Sequence, residues 1–521
     1  MREVAFVQES NLAKVDRMES MSARSLVLLS DGWRGSRPGA AYAALADRIR
    51  LLIVDGRISL GARLPAERDL SAHLGVSRTT VAAAYAQLRS GGYLHSVRGS
   101  GSVAALPDPA PRDRDLGRTP GDLLDFSKAS VPAWPGLGDA ARRAAGNLPA
   151  FLGGSGYDPI GLPVLRTAIA ERYERRGLPT TADQVMVTIG AQHAIALIAR
   201  AMLSRGDPAI VESPSYPHAF EALRGAGARL VPVGVTTDDG WDEDGFERAI
   251  QRTSPSLAYL MPDFQNPTGC SMSPEFRQRA VVIAARHGTT LVADETMAEL
   301  RIDGAHPRHE VLPLAAYGRG GGATGGGGSG GSASATGGPG GGSPGGVILI
   351  GSLGKTVWGG IRIGWIRADR AVIQRLVRAR AAADLGTPLL EQLVAVEVLR
   401  DYDAILDIRR AQLRAGRDLL GTVLAARLPE WQVPAMPGGL AAWVNLGSPV
   451  SSQLALAARG EGLQIAAGPL FGIDGAFERF LRIPFSYPAA ETERAVDMLA
   501  AAWRAVGRHP VVGIGTLADV V

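Results

Sequence analysis

Apolar positions recur at helical spacing from about residue 40 to residue 103 and then change character. Ala46, Ile49, Leu52 and Ile53 mark one face of a first helix. Gly56 and Gly61 punctuate a turn. Pro65 suits the first turn of a second helix, which Leu70 and Leu74 stripe and Gly75 stops. Ser77 is placed to cap a third helix with Val81, Tyr85 and Leu88 on its buried face and Gly91-Gly92 at its end. The segment YLHSVRGSGSVAAL then reads as a two-stranded hairpin turning at Arg98-Gly99. From about residue 122 to 507, short apolar runs (QVMVTI, PAIVES, LAYLMP, TLVADE, VILIGS) alternate with amphipathic helical stretches. That alternation predicts an α/β domain with a mostly parallel sheet and helices on both faces.

The pattern divides the chain. Residues 1–39 lack clear periodicity and read as a poorly ordered leader, 40–104 as the small helical unit, 105–121 as a Pro-, Arg- and Asp-rich linker, 122–505 as the large domain and 506–521 as a tail. One stretch interrupts the large domain: between 318 and 346, 17 of 29 residues are glycine. Such a segment buries too little apolar surface to offset the entropy of ordering it, so a disordered surface insert is expected. It is too long and shapeless for a phosphate-cradling turn.

Composition adds limits. At 521 residues, two or more domains are the prior. No apolar run is long enough to cross a bilayer, and the acidic N-terminus has no signal core, so a cytoplasmic protein without membrane contact is expected. The single cysteine, Cys270, excludes an intramolecular disulfide framework, and no metal site is expected. The formal charge of +4 is small, but between residues 40 and 104 there are 8 Arg against 4 acidic residues. That basic unit therefore carries the whole excess, as a DNA-reading domain would.

Helix, tight turn, helix is the geometry that sets a second helix into the major groove. At that helix's start stand Arg78, Thr79 and Thr80, all able to meet phosphate or base edges. Alone, Ser-Arg-Thr-Thr would equally cap a surface helix. The basic hairpin tip that follows reads as a wing. LPAERDL, LGVSRTTV, AYAQL, GGY and RGSGS occur in the order of the GntR regulators, which the segment resembles from Tyr42 to Val103. The resemblance implies a winged helix-turn-helix in which Arg68, Ser77, Arg78, Thr79, Thr80, Arg98 and Gly99 face double-stranded DNA. Ala82 stands where some members carry a further Arg.

The large domain offers a different chemistry. A lysine for Schiff-base formation, a carboxylate for a pyridine nitrogen, an aromatic to stack on the ring and donors for a phosphate all have candidates at strand ends or helix starts. Lys355 follows VILIGS. A lysine there is ordinarily a solvated surface residue, but this one has Gly and apolar neighbours, with Ser352 and Arg362 nearby. Asp294 ends TLVADE. Gly190, Ala191 and Gln192 open a helix at a small-residue N-terminus. Tyr216 in SPSYP is able to stack, and Asn266 in QNPTG to bond a phenolic oxygen. Arg482 in LRIPF is either a carboxylate clamp or a rim salt bridge.

GYDPIGLPVLRTAIAERY, TIGAQ, SPSYP, QNPTG, VADE, GSLGK, IRIGW and LRIPF together resemble the fold-type-I aminotransferases related to aspartate aminotransferase. The resemblance implies a pyridoxal 5'-phosphate (PLP) transferase fold of type I with a smaller C-terminal α/β subdomain. By it Lys355 forms the Schiff base, Asp294 pairs with the pyridine nitrogen, Tyr216 stacks on the ring and Asn266 contacts its oxygen. Ala191, Gln192, Ser352 and Arg362 hold the phosphate, Arg482 takes a carboxylate, and Tyr157 reaches the partner's phosphate across a homodimer. Relatives usually place a Tyr shortly after the pyridine-binding Asp; this chain has Thr296 and Met297, which speaks for slow turnover. The two resemblances combined are those of the bacterial MocR regulators. They imply a PLP-dependent regulator answering to an amino acid or amine, the alternative being an aminotransferase with an accessory DNA-binding domain.

Overall fold

A computed structural model describes residues 21–30, 33, 41–54, 58, 62–97, 101–105, 123–303, 311–318, 346–473 and 476–508. They fall into two units, one within residues 1–118 and the other within 119–508. Arg98, Gly99, the linker 106–122, nearly all of the glycine-rich insert and the tail from 509 onward lie outside the described residues.

The described residues of the smaller unit form four helices and a pair of strands: α1 (Ala23–Leu29), α2 (Ala41–Val54), α3 (Glu67–Leu74), α4 (Arg78–Ser90), β1 (Leu94–Val97) and β2 (Gly101–Ala104). The strands pair antiparallel with Leu94 opposite Ala104. Leu45, Ile49, Leu52, Leu70, Val81, Tyr85 and Leu88 form one core. Each such side chain contributes roughly 1.5–3 kcal/mol by leaving water. Gly75 ends α3 in the left-handed region at φ +63°. Two residues later the Ser77 hydroxyl accepts the Thr80 amide at 3.1 Å and starts α4. Removing that cap in Ser77→Ala should cost about 1 kcal/mol. A thermal melt of the full chain should show the smaller unit's transition about 4–8 °C lower.

Two expectations need correction here. The leader is not featureless: α1 lies inside residues 1–39, and Leu26 is fully buried in the same core. Its apolar face is too short for a periodicity test, and tertiary burial decides it. Pro65 precedes α3 rather than opening it, and its carbonyl accepts the buried Tyr85 hydroxyl at 3.0 Å.

The larger unit contains β3 (Leu124–Asp125), β4 (Val185–Thr188), β5 (Pro208–Ser213), β6 (Arg229–Thr236), β7 (Gly240–Trp241), β8 (Leu257–Leu260), β9 (Thr290–Asp294), β10 (Val347–Ser352) and β11 (Gly364–Arg367). Further on come β12 (Ala441–Asn445), β13 (Leu463–Gln464), β14 (Ala466–Ala467) and β15 (Phe480–Pro484). One sheet runs β4-β11-β10-β9-β8-β5-β6-β7. Its centre, β10-β9-β8-β5-β6, is parallel, whereas β11 and β7 run antiparallel to their neighbours. Alternate residues feed two cores, with Val187, Ala258 and Leu291 on one face and Met186, Tyr259 and Val292 on the other. Burial on both faces is why these strands read as unbroken apolar runs.

A further core, besides the two on the large sheet, surrounds the sheet β12-β15-β14. The helix Tyr402–Arg427 belongs to both: Ile405 and Leu406 pack under the large sheet, and Leu413, Leu420 and Leu424 pack in the small core. No helix among the described residues is long and apolar enough to cross a membrane.

Candidate cofactor and DNA-binding sites

The parallel strands end on one side of the large sheet, and the candidate residues gather there. Asp294 closes β9 and is buried; its Oδ2 accepts the Tyr259 hydroxyl at 2.8 Å and its Oδ1 the Thr296 amide at 3.0 Å. Tyr259 is fully buried in β8, and burial beside Asp294 holds its hydroxyl well above the usual value, so it stays a donor. Sequence reasoning missed Tyr259. The available signal was a hydroxyl-bearing ring inside the apolar run LAYL.

Lys355 follows β10 and is partly buried, with its Nζ donating to Ala129 O at 2.7 Å. Burial, helped by the Arg482 charge and opposed by Asp294, pulls its ammonium down to about 8. About one amine in ten is then neutral at pH 7, far more than for a solvated lysine. Arg482 lies in β15 and is buried. One Nη donates to Asn266 Oδ1 at 3.3 Å, the other to Ser127 O, and its guanidinium lies 4.8 Å over the Phe471 ring. Its Nε is buried without a hydrogen-bond partner. No carboxylate lies within ion-pair distance among the described residues, and burial pulls the guanidinium down to about 10. Tyr216, after β5, is half-buried, its hydroxyl pushed up to about 12 by burial and Asp294. Arg482 and Arg362 act on it in the opposite sense, which places all four groups in one electrostatic neighbourhood.

The phosphate side is built from backbone. Gly190, at φ +84°, caps the helix Ala191–Met202 with no side-chain cap. A Cβ there would lie 2.8 Å from Arg362 Nη2, and one at Gly364 would lie 2.6 Å from the Gly190 carbonyl carbon. The cradle therefore excludes side chains where a helix N-terminus meets a guanidinium, which suits an anion. Arg362 is exposed, has a left-handed φ of +50° and donates to Ile189 O at 2.9 Å. Ser352 donates to Ile363 O and accepts Gly354 N, both at 3.0 Å. Gln192 donates to His218 O at 3.0 Å and leaves its buried Oε1 unpartnered. Tyr157 does not join the group; it is 70% exposed.

Glu212 also went unnoticed in sequence. It is fully buried at the end of β5 and accepts Met261 N and Trp241 Nε1 at 2.9 Å and Gln265 Nε2 at 3.2 Å. These bonds join the loop carrying Tyr216 to the one carrying Asn266. Burial pushes its carboxyl up to about 7. The folded chain therefore binds this proton more tightly than the unfolded chain. The resulting stabilisation is full below the unfolded value near 4.5 and is lost as pH rises through about 7. Relative to Glu212→Gln, denaturant melts should show wild-type stability falling by about 3 kcal/mol between pH 4 and 8.

In the smaller unit Arg78 and Thr79 open α4 and are exposed, and Arg68 is exposed on α3. The Arg78 Nε lies 3.9 Å from Glu67. The Ser77 hydroxyl is engaged by the Thr80 amide and by the Thr79 and Thr80 hydroxyls, so it shapes the helix start.

Comparisons with known proteins agree with this geometry. The family model for aminotransferase class I and II matches residues 139–499, and that for bacterial regulatory proteins of the gntR family matches 41–103. An uncharacterized HTH-type transcriptional regulator of Escherichia coli, YdcR, is 29% identical, covering 88% of this chain and 98% of its own. The probable rhizopine catabolism regulatory protein MocR of Rhizobium meliloti is 32% identical over 75% of this chain and 78% of its own. Among solved structures, LysN, an α-aminoadipate aminotransferase from Thermus thermophilus complexed with N-(5'-phosphopyridoxyl)-L-leucine, is 27% identical. It covers 74% of this chain and 94% of its own with a TM-score of 0.63. The cradle, the paired Asp294 and the softened Lys355 fit PLP, the cofactor of this fold. The chain thus belongs to the class I and II aminotransferase family, joined to a GntR-type DNA-binding head in the manner of the MocR-type transcription regulators.

Proposed function

We propose that the large domain senses PLP together with a carboxylate-bearing amino compound, and that the head answers on promoter DNA as part of a homodimer in the cytoplasm. The observation that carries this reading is Arg482. A buried guanidinium with an orphaned Nε and, among the described residues, no carboxylate partner is costly unless a ligand supplies the anion. Lys355 and Asp294 share its neighbourhood.

When bound, PLP supplies an aldehyde for an amine and a ring that withdraws electrons. The residues do the rest. Asp294, held by the Tyr259 hydroxyl, turns its carboxyl group to the ring nitrogen. Lys355 presents an amine that loses its proton near neutrality. Gly190, Ala191, Gln192, Ser352 and Arg362 form the anion cradle, Tyr216 the stacking face, and Asn266 a polar contact braced by Arg482. Arg68, Ser77, Arg78, Thr79 and Thr80 are the DNA contacts of the head, together with Arg98 and Gly99, which lie outside the described residues.

Exposed apolar side chains support the dimer. Leu152, Tyr157, Leu385 and Leu390 are each more than 40% exposed. A Cβ on Gly386 would overlap the Asp158 carbonyl oxygen, so the backbones that follow Leu385 and Tyr157 run side by side. In the dimer Tyr157 meets the partner's phosphate. The transaminase alternative is disfavoured by Met297, an apolar group facing the small cavity beside Asn266. The test is an absorbance titration of full-length protein with amino acids, run alongside promoter-fragment binding. Spectral change with slow turnover and altered DNA affinity supports sensing. Fast turnover with unaltered DNA affinity rejects it.

A further inference from the structure

Residues 123–134 run past the ligand site as a non-helical strap, and in sequence they come just after the linker expected over 105–121. Two of the three cations assigned to ligands above, Arg482 and Lys355, are fastened to this strap. Arg482 Nη2 donates to Ser127 O, and Lys355 Nζ donates to Ala129 O.

The strap's remaining holds come from groups assigned to no ligand, of which Tyr487 lies within electrostatic reach of Arg482 and Ser486 carries no charge. Leu124 and Asp125 pair with β13. The Tyr487 hydroxyl donates to Asp125 O at 2.6 Å, with Lys128 O at 3.0 Å as a second acceptor. Ser486 Oγ donates to Ser130 O at 2.6 Å, and Arg409 Nη2 to Pro132 O at 2.8 Å. Trp134 N closes the far end on Val357 O at 3.1 Å. Phe126 is buried and stacked on Tyr487 with ring centroids 4.1 Å apart.

We infer that the strap is the relay of this regulator: a ligand carboxylate competes with the Ser127 carbonyl for Arg482, and the loosened strap passes site occupancy to the linker. The inference rests on the reading that the large domain senses a carboxylate-bearing amine. A carboxylate brings an opposite charge and can take two parallel bonds from the guanidinium, which the neutral Ser127 carbonyl cannot, so the ligand wins the contest. Drawing Lys355 toward the ligand weakens the second hold, at Ala129. The strap thus has a docked and a released state that ligand and head each bias, as coupling between sites requires.

Loosening the strap without touching the ligand groups should mimic the ligand. Tyr487→Phe removes two holds and keeps the ring stack; Ser486→Ala removes a third and serves as the second variant. Full-length cofactor-stripped protein is compared with N-(5'-phosphopyridoxyl)-L-leucine, which carries a carboxylate, and with pyridoxamine phosphate, which does not. Hydrogen exchange of the peptide over 123–134 should quicken at least threefold with the leucine adduct and not with pyridoxamine phosphate. Either variant should exchange fast without ligand and bind the adduct at least threefold tighter, because less of the chain is held in the docked state. Equal strap exchange with both compounds, or unchanged adduct affinity in both variants, overturns the relay. A strap that responds in wild type while promoter binding does not would keep strap release and instead sink the sensing function. Promoter binding that responds while the strap stays still would do the reverse.

Discussion

Lys355→Ala protein should lose covalently held cofactor to background after borohydride treatment, and its promoter affinity should become indifferent to added PLP. No other lysine in the described part of the larger unit competes for the role: Lys128 is mostly exposed and paired with Asp125 at 2.9 Å. Wild-type protein adds a pH signature. With the ammonium pulled down to about 8, PLP capture by stripped protein should climb about tenfold per pH unit below 8 and level off above it. An unperturbed lysine would keep climbing toward 10.5. Stopped-flow absorbance between pH 6 and 9.5 separates the two; a rise continuing past pH 9 sinks the account of Lys355.

Arg482→Leu should weaken carboxylate-bearing effectors by about 100-fold, near 3 kcal/mol, by removing a charge-assisted contact. Amines of the same skeleton without the carboxylate should bind as they do to wild type. The stability cost should be far smaller, within about 1 kcal/mol, because replacing a desolvated cation with an apolar side chain removes its own penalty. The lost donors to Ser127 and Asn266 act against that gain. Isothermal titration with the paired ligands, together with denaturant melts, measures both quantities. Equal losses for both ligands would show that Arg482 shapes the site without recognising the carboxylate.

Much of this was legible in the chain because the signals were local. Ser77 and Gly75 define a tight turn through backbone rules, and β8, β9 and β10 announce themselves as apolar runs because both faces are covered. Asp294, Ser352 and Gly190 could be placed because strand ends carry the chemistry in such sheets. What escaped depends on distant partners. Tyr259 gains meaning only beside Asp294, one strand away, and Glu212 only through donors from β7 and from the segment after β8. The carbonyls of Ser127 and Ala129 have no side-chain signature at all. Helix α1 escaped because seven residues are stabilised by burial against α3 rather than by their own pattern.

The order of strands has a consequence during synthesis. Among the described strands β4 pairs only with β11, where Thr188 meets Gly364. On a ribosome the apolar β4 emerges on the order of ten seconds or more before its sole neighbour exists. β9 likewise waits for β10 while the glycine-rich stretch is translated. Premature release at that stage would leave sticky edges uncovered. Recombinant yield should therefore depend on translation pace and chaperone supply more than on the stability of the finished protein.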